Sequence, residues 1–287
     1  MKNRYVTNVL LVSLLCLLTV TAISCIYIEC WGARAKSERQ VQLSAPLSSG
    51  SLFTAQTHNG SITITGAEVA DCNLIATITA CAATDEEAKS LADATEVKLE
   101  PSGNSPLRGK LTAKITKPTL KRNQSIAVSL DAKLPSNTSL ELSTHNGAVK
   151  ISNITGKVNG TTHNGKVSAL QVSGNIKLQT HNGSVVCEQI TGDADLKTHN
   201  GGVRAVYSDS APPVCNVVLV THNGGIDLTA PPQFSARVDA STHNGSIKTD
   251  LPITVVGKVN KRKLAGTIGT GQGKLYLQTH NGSIHLR

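Results

Sequence analysis

From Thr144 onward the chain repeats one arrangement of apolar and polar positions. Counting from that Thr, apolar or small residues fall at Val149, Ile151, Ile154, Val158, Gly160 and Thr162. The same six offsets return as Val167, Ala169, Val172, Ile176, Leu178 and Thr180, and again as Val185, Cys187, Ile190, Ala194, Leu196 and Thr198. Inside each window two short runs alternate with period two, as strands with one buried face do. One run ends at the Thr and the next begins after a Gly. A second turn falls midway, near "SGN" or "TGD". Each window of 18 residues therefore predicts two short strands and two turns.

The windows are punctuated by the tetrapeptide Thr-His-Asn-Gly. It occurs eight times, with histidines at His58, His145, His163, His181, His199, His222, His243 and His280. The intervals are 87, 18, 18, 18, 23, 21 and 37 residues, and a fixed period of this kind marks a repeat architecture. One such unit cannot bury its own inner face, whereas stacked units can. The fold class expected is mainly β: a single-chain β-solenoid of about 18-residue coils, 144–287, in which the longer intervals are loop insertions. Asn-Gly between alternating runs is also a strong hairpin signal, so an antiparallel meander is the competing architecture. In the solenoid, the Thr continues the inward alternation and the His points outward. Asn and Gly make the corner, with positive φ angles.

The interval of 87 residues has a different character. "DCNLIATITACA" (71–82) reads as a strand. "TDEEAKSLADATEV" (84–97) opens with a capping box, Thr84 and Glu87, and carries its acidic residues in the first turn of a helix. Ala88, Leu91 and Ala92 line one face of that helix. "GKLTAKIT" (109–116) and "SIAVSLDAKLP" (125–135) return to strand pattern. Residues 51–143 thus predict a first coil plus a small α+β section with one helix, capping the solenoid's open β edge. Residues 36–50 are expected to be a linker.

Lys2 and Arg4 precede an apolar run from about Val9 to Ile28, so residues 1–35 predict a signal peptide or membrane anchor. Three fates are open. Cleavage after Ala35 fits "ARA". Cys25, in "TAISC", resembles a lipid-acylation site, although Ala22 stands where Leu is usual. The run is also long enough to cross a bilayer uncleaved. Each places the body outside the cytoplasm, in the cell envelope, with N-terminal membrane attachment expected in the last two.

Composition narrows the chemistry. Aromatics make up only 2% of the 287 residues, so the core must be aliphatic, which suits thin β layers. Three of the 28 basic and one of the 19 acidic residues lie in 1–35, leaving 25 against 18. Basic clusters stand at "KPTLKR" (117–122) and "KVNKRK" (258–263). They read as solvated loops, or as attraction toward anionic envelope polymers or lipid headgroups. Export and the lack of interleaved aromatics argue against a nucleic-acid partner. Four cysteines follow the leader, Cys72, Cys81, Cys187 and Cys215. Disulfides are permitted in an oxidising compartment, but a Cys72–Cys81 bridge requires a bend in the strand between them. No C-x-x-C pair occurs. "GTIGTGQG" (266–273) is Gly-rich but precedes no helix, and reads as a turn rather than a phosphate cradle.

The histidines admit three readings. They pack as copies of a structural repeat. Or neighbouring imidazoles, with coils about 4.8 Å apart, hold a transition metal; the ligands would be His145, His163, His181, His199, His222 and His243, binding weakly because no Cys, Asp or Glu recurs beside them. Or acid loads charge onto one edge, where two imidazolium ions at that spacing repel by about 0.9 kcal/mol in water. Catalysis is not indicated: no nucleophile or carboxylate pair accompanies the imidazoles, and no catalytic site or cofactor is expected.

Several segments resemble the bacterial "putative adhesin" family of exported domains. They are "QTHNGSITITG" (56–66), "DEEAKSLADA" (85–94), "SIAVSLDAKLPSNTSLELSTHNGAVKI" (125–151) and "LAGTIGTGQGKLYLQTHNGSIHLR" (264–287), a resemblance covering about 41–287. It implies a β-solenoid with repeated Thr-x-Asn-Gly turns and an adhesive role, and names no ligand. Fixing the variable position as His each time is unusual for the pattern. Together these readings give an exported, envelope-attached, non-catalytic protein presenting a repetitive surface. Its expected partners are envelope or cell-surface polymers, or further copies of itself. The alternative is a metal-binding envelope protein.

Overall fold

A computed structural model describes residues 35–102, 109–255 and 260–287. The leader readings, Cys25 included, lie outside these residues. No described helix is long and apolar enough to cross a membrane.

The 18-residue windows stack in parallel. Val158 pairs with Ile176 and with Leu140, and Ile176 pairs onward with Ala194. The strands after the corner do the same, Val167 lying between Val149 and Val185. Partners one repeat apart in parallel register are a solenoid and exclude the meander. The first coil, Leu52–Asn59 and Ile62–Ala67, stacks on Ser139–Asn146 and Val149–Ile154 in the same way. Two sheets result, of 11 and 12 strands, and each coil contributes one strand to each.

The inner faces meet in one core running from Ala35 to Leu286. Alternation dictates this: in Ile176–Asn182, Ile176, Leu178 and Thr180 are buried while Lys177 and His181 are exposed. The two phenylalanines, Phe53 and Phe234, are both buried in it.

The second corner differs in detail from the sequence reading. Its left-handed residues are not glycines but Asn153, Gln171 and Gln189, at φ 58°, 53° and 53°. The glycines of "TGK", "SGN" and "TGD" lie three residues on, where coils approach closely.

The N-terminal section corrects the expected linker. Ala35–Pro46 is a strand of 12 residues, antiparallel to Asp71–Ala82. Its Val41, Leu43 and Ala45 pack against the core. Asp71–Ala82 in turn pairs antiparallel with Ser125–Pro135, which stacks parallel on Ile62–Ala67. On the other sheet Lys110–Thr116 extends the first coil, and Glu96–Ser102 closes the edge. The helix Asp85–Ala94 starts where expected: the Glu87 amide donates to Thr84 Oγ1 at 3.3 Å. It buries Ala88, Leu91 and Ala92. Arg39 fastens its far end, Nε donating to the Ala92 carbonyl at 3.1 Å and Nη2 to that of Thr95.

At the other end chain order and stacking order part. The last coil, Gly273–Asn281 with Ile284–Leu286, lies between the coil of His222 and the coil of His243. The interval of 37 residues is therefore a reversal, not a simple loop insertion. Lys263–Ile268 runs back antiparallel along Ala236–Ser241, and Ile253–Val255 covers it. This short pair shields the open edge of the 12-stranded sheet. The Gly-rich segment is a turn, as read. Ser235 Oγ accepts from the amides of Thr270 and Gly271 at 3.1 and 3.0 Å.

Candidate functional site

The Thr-His-Asn-Gly corners line up on one edge, where strands of one sheet end and those of the other begin. Four columns run along it. The Thr column is buried, and beyond Thr57, which donates to the Val128 carbonyl at 3.0 Å, each hydroxyl donates to a glycine carbonyl of the adjacent coil: Thr162 to Gly147 at 2.9 Å, Thr180 to Gly165 at 2.9 Å, Thr198 to Gly183 at 2.7 Å. These bonds satisfy a hydroxyl at the rim of an apolar core, and tie coil to coil.

The Asn column forms a ladder rather than a turn. Asn182 Nδ2 donates to Asn164 Oδ1 at 2.8 Å, and Asn200 does the same to Asn182 at 2.8 Å. The chain of bonds runs from Asn244 through Asn281, Asn223, Asn200, Asn182, Asn164 and Asn146 to Asn59. Every amide points the same way, toward the first coil, as do the Thr hydroxyls. Turn propensity explains an Asn at this corner by its backbone; its side chain is what the stack uses.

Glycine is required by approach as much as by angle. A Cβ at Gly183 would lie 2.1 Å from the Gly165 carbonyl oxygen, and one at Gly201 2.1 Å from that of Gly183. Their φ angles, 153° and 147°, also disfavour any other residue.

The histidines stand outside this framework, all eight exposed. Their rings stack at centroid distances of 4.6–4.8 Å with interplanar angles of 0–4°. All six residues predicted as ligands are in the column, joined by His58 at one end; His280 sits between His222 and His243. His285 is elsewhere, on the other sheet beside Arg287.

Parallel stacking bears directly on metal chemistry. Two imidazole nitrogens on one zinc at 2.0–2.1 Å lie at most about 4.2 Å apart. Stacked rings keep equivalent nitrogens one coil spacing apart, 4.8 Å over most of the column, with in-plane lone pairs parallel instead of convergent. Among the described residues no group of three or more His, Cys, Asp or Glu is arranged to hold a metal ion. The column collects the predicted ligands without assembling a ligand set.

Two shallow grooves flank the ends of the column. One, of about 600 Å³, brings Lys114 and Lys117 beside His58 and His145. The other, of about 520 Å³, runs along His199, His222, His280 and His243. Lys117 Nζ donates to the Ile126 carbonyl at 3.4 Å, and burial holds its ammonium below the usual lysine value. Lys114 pairs with Glu100 at 3.1 Å.

Cys72, Cys187 and Cys215 are free and buried. Burial pushes the Cys72 thiol up to about 12 and that of Cys215 up to about 11, with Asp193 adding to the latter; Cys187 is raised as well. Cys81 is disulfide-bonded, and not to Cys72.

Comparison with solved structures gives distant likenesses. A "putative cell adhesion protein" from Clostridium sporogenes ATCC 15579 is 12% identical over 86% of this chain and 99% of its own, with a TM-score of 0.37. A "putative adhesin" from Bacteroides fragilis NCTC 9343 gives 12%, 88%, 99% and 0.37. A "putative lipid binding protein" from Parabacteroides distasonis ATCC 8503 gives 10%, 89%, 98% and 0.27. A search of curated proteins finds no match. The family model described as Toastrack DUF4097 matches residues 34–287, which takes in the stack and both of its caps, and the chain belongs to that family.

Proposed function

We propose that this is an exported, envelope-attached, non-catalytic protein whose stacked coils present a repetitive edge to envelope or cell-surface polymers. The observation that carries the reading is the in-register column of eight exposed imidazoles. It is backed by hydrogen-bonded Thr and Asn ladders that hold each ring at a fixed repeat. A rigid one-dimensional array suits many weak contacts acting together, since linked sites gain avidity without any single strong one. Near-absence of aromatics makes stacking against sugar rings a minor mode. The adhesive role implied by the resemblance, and the words "adhesin" and "cell adhesion protein" used of the structural neighbours, agree with a presented surface. Attachment at the N-terminus belongs to this reading where the leader, with its basic start and apolar run, is lipid-acylated or kept as a span rather than cleaved.

The test compares surface attachment of cells with and without the gene, on several abiotic and cellular surfaces. Reduced attachment that returns with the wild-type gene supports the reading. Attachment unchanged on every surface overturns it.

A further inference from the structure

Residues 117–122 of one basic cluster and 260–263 of the other lie at the two ends of the histidine column. Lys110–Thr116 runs parallel to Leu52–Asn59 in one sheet and Ser125–Pro135 parallel to Ile62–Ala67 in the other, so the loop between them turns the same edge as the Thr-His-Asn-Gly corners. It carries Lys117, Lys121 and Arg122, the last two exposed, and Lys117 shares a groove with His58. At the far end the carbonyls of Arg262 and Lys261 accept from the amides of Thr242 and Ile247 at 2.9 and 2.8 Å. Lys261, Arg262 and Lys263 are exposed there, beyond His243.

Between these ends the edge carries no carboxylate. In none of the eight coils is the residue before the Thr, or the residue after the Gly, an Asp or Glu; Lys197 and Lys166 are among them. The carboxylates facing the edge stand back from it. Glu141, Asp195 and Asp239 precede their histidines by four residues, about 13 Å along a strand, and Asp195 is paired with Lys197 at 2.9 Å. On the other sheet Asp131 and Asp227 lie past the corner. At the first end Glu100 pairs with Lys114.

We infer that this edge is a binding line for a linear polyanion bearing phosphate groups, anchored at both ends by Lys and Arg and engaged along its middle by the imidazoles as they gain protons. The inference rests on the presented-surface reading and gives that surface a ligand class. A line of eight rings at seven spacings of 4.6–4.8 Å, about 33 Å long and one ring wide, contacts a chain lengthwise. It offers a planar membrane far less area. Histidine gains charge between pH 8 and 5, while Lys and Arg carry theirs throughout. The ends therefore hold at neutral pH and the middle is recruited by acid.

The experiment measures binding of the full chain to fluorescent inorganic polyphosphate at pH 8.0 and 5.5, at low salt. Wild type binds at both and about tenfold or more tighter at pH 5.5, with an affinity that falls steeply as salt rises. H163N/H181N/H199N keeps the affinity at pH 8.0 but loses most of the gain in acid. K121A/R122A/K261A/R262A weakens binding about tenfold at both. Circular dichroism establishes that each variant is folded; should the histidine variant not fold, the loop variant decides alone. No binding of polyphosphate by wild type, an acid gain untouched by the histidine changes, or full affinity in the loop variant overturns the proposal. So does binding to phosphatidylglycerol vesicles without binding to polyphosphate, which assigns the edge to a membrane. Loss of polyphosphate binding with cell attachment intact removes the polyanion alone. Binding with attachment unaffected by the gene removes the adhesive role alone.

Discussion

Asn182 Nδ2 donates to Asn164 Oδ1 at 2.8 Å, linking the side chains of two residues one repeat apart. Asn182 also accepts from Asn200 at 2.8 Å, so it serves two neighbours. Asn244, at the end of the column, makes one such bond, to Asn281 at 2.7 Å. Each net hydrogen bond contributes about 0.5–1.5 kcal/mol, toward the lower figure where water competes. N182A is therefore expected to cost about 1–2 kcal/mol and N244A about half as much. Urea unfolding midpoints of the two variants make the comparison. Equal costs would show that the ladder contributes no more than an isolated turn asparagine.

Adjacent glycines separate the two demands at the corner. Gly201 has φ 147°, and a Cβ there would meet the Gly183 carbonyl oxygen at 2.1 Å; at Gly202 the nearest atom, the Gly225 carbonyl oxygen, is 3.4 Å away. G201A must push two coils apart and is expected to cost about 4 kcal/mol or more, or to prevent folding. G202A is expected within about 1 kcal/mol of wild type. Thermal melts of both proteins decide it, and a tolerated G201A would mean the coils are not in backbone contact at this edge.

Three buried thiols give the fold a dependence on alkaline pH. The folded state holds the Cys72 thiol at about 12 and that of Cys215 at about 11, against 9.0 for the free side chain, and Cys187 is raised too. Raised values favour the protonated form in the fold. The stability they contribute is fully present below pH 9 and is lost as pH climbs from 9 toward 12. Unfolding midpoints are expected to fall over that window, and to fall less in C72A/C187A/C215A. At pH 8 a thiol reagent should leave the three thiols unmodified in the folded protein and modify all of them in denaturant.

The repeat made most of this architecture legible. The offsets that set Thr162 and Thr180 inward and His163 and His181 outward are borne out residue by residue. So is the helix, because Thr84 and the Ala88–Leu91–Ala92 face are local signals. What escaped reading was not local. Ala35–Pro46 looks like a linker because Lys36, Glu38, Gln40 and Gln42 are polar; an edge strand needs only its other face covered. The swapped order of the last two coils has no signature, since near-identical Thr-His-Asn-Gly units can stack on one another in any order. The Asn ladder was visible as an invariant letter, but the turn propensity of Asn-Gly offered a sufficient local reason for it. At the second corner Gln171 and Gln189 take the left-handed conformation that propensity assigns to glycine.

The stacked rings also predict how the column meets metal. Zinc bound by two of them requires nitrogens no more than about 4.2 Å apart with converging lone pairs. The stack holds the rings parallel at 4.8 Å between His145 and His199. Binding must therefore rotate at least one ring out of the column, and two imidazoles still leave the tetrahedral set half filled. Calorimetric titration of the full chain with Zn²⁺ is expected to give no stoichiometric site tighter than about 100 μM. H163N/H181N should leave the weak residual heat nearly unchanged, since any remaining rings serve equally as single ligands. A saturable micromolar site that this variant abolishes would show that the rings leave the stack readily. The column would then be a metal ladder whose parallel arrangement is only its resting form.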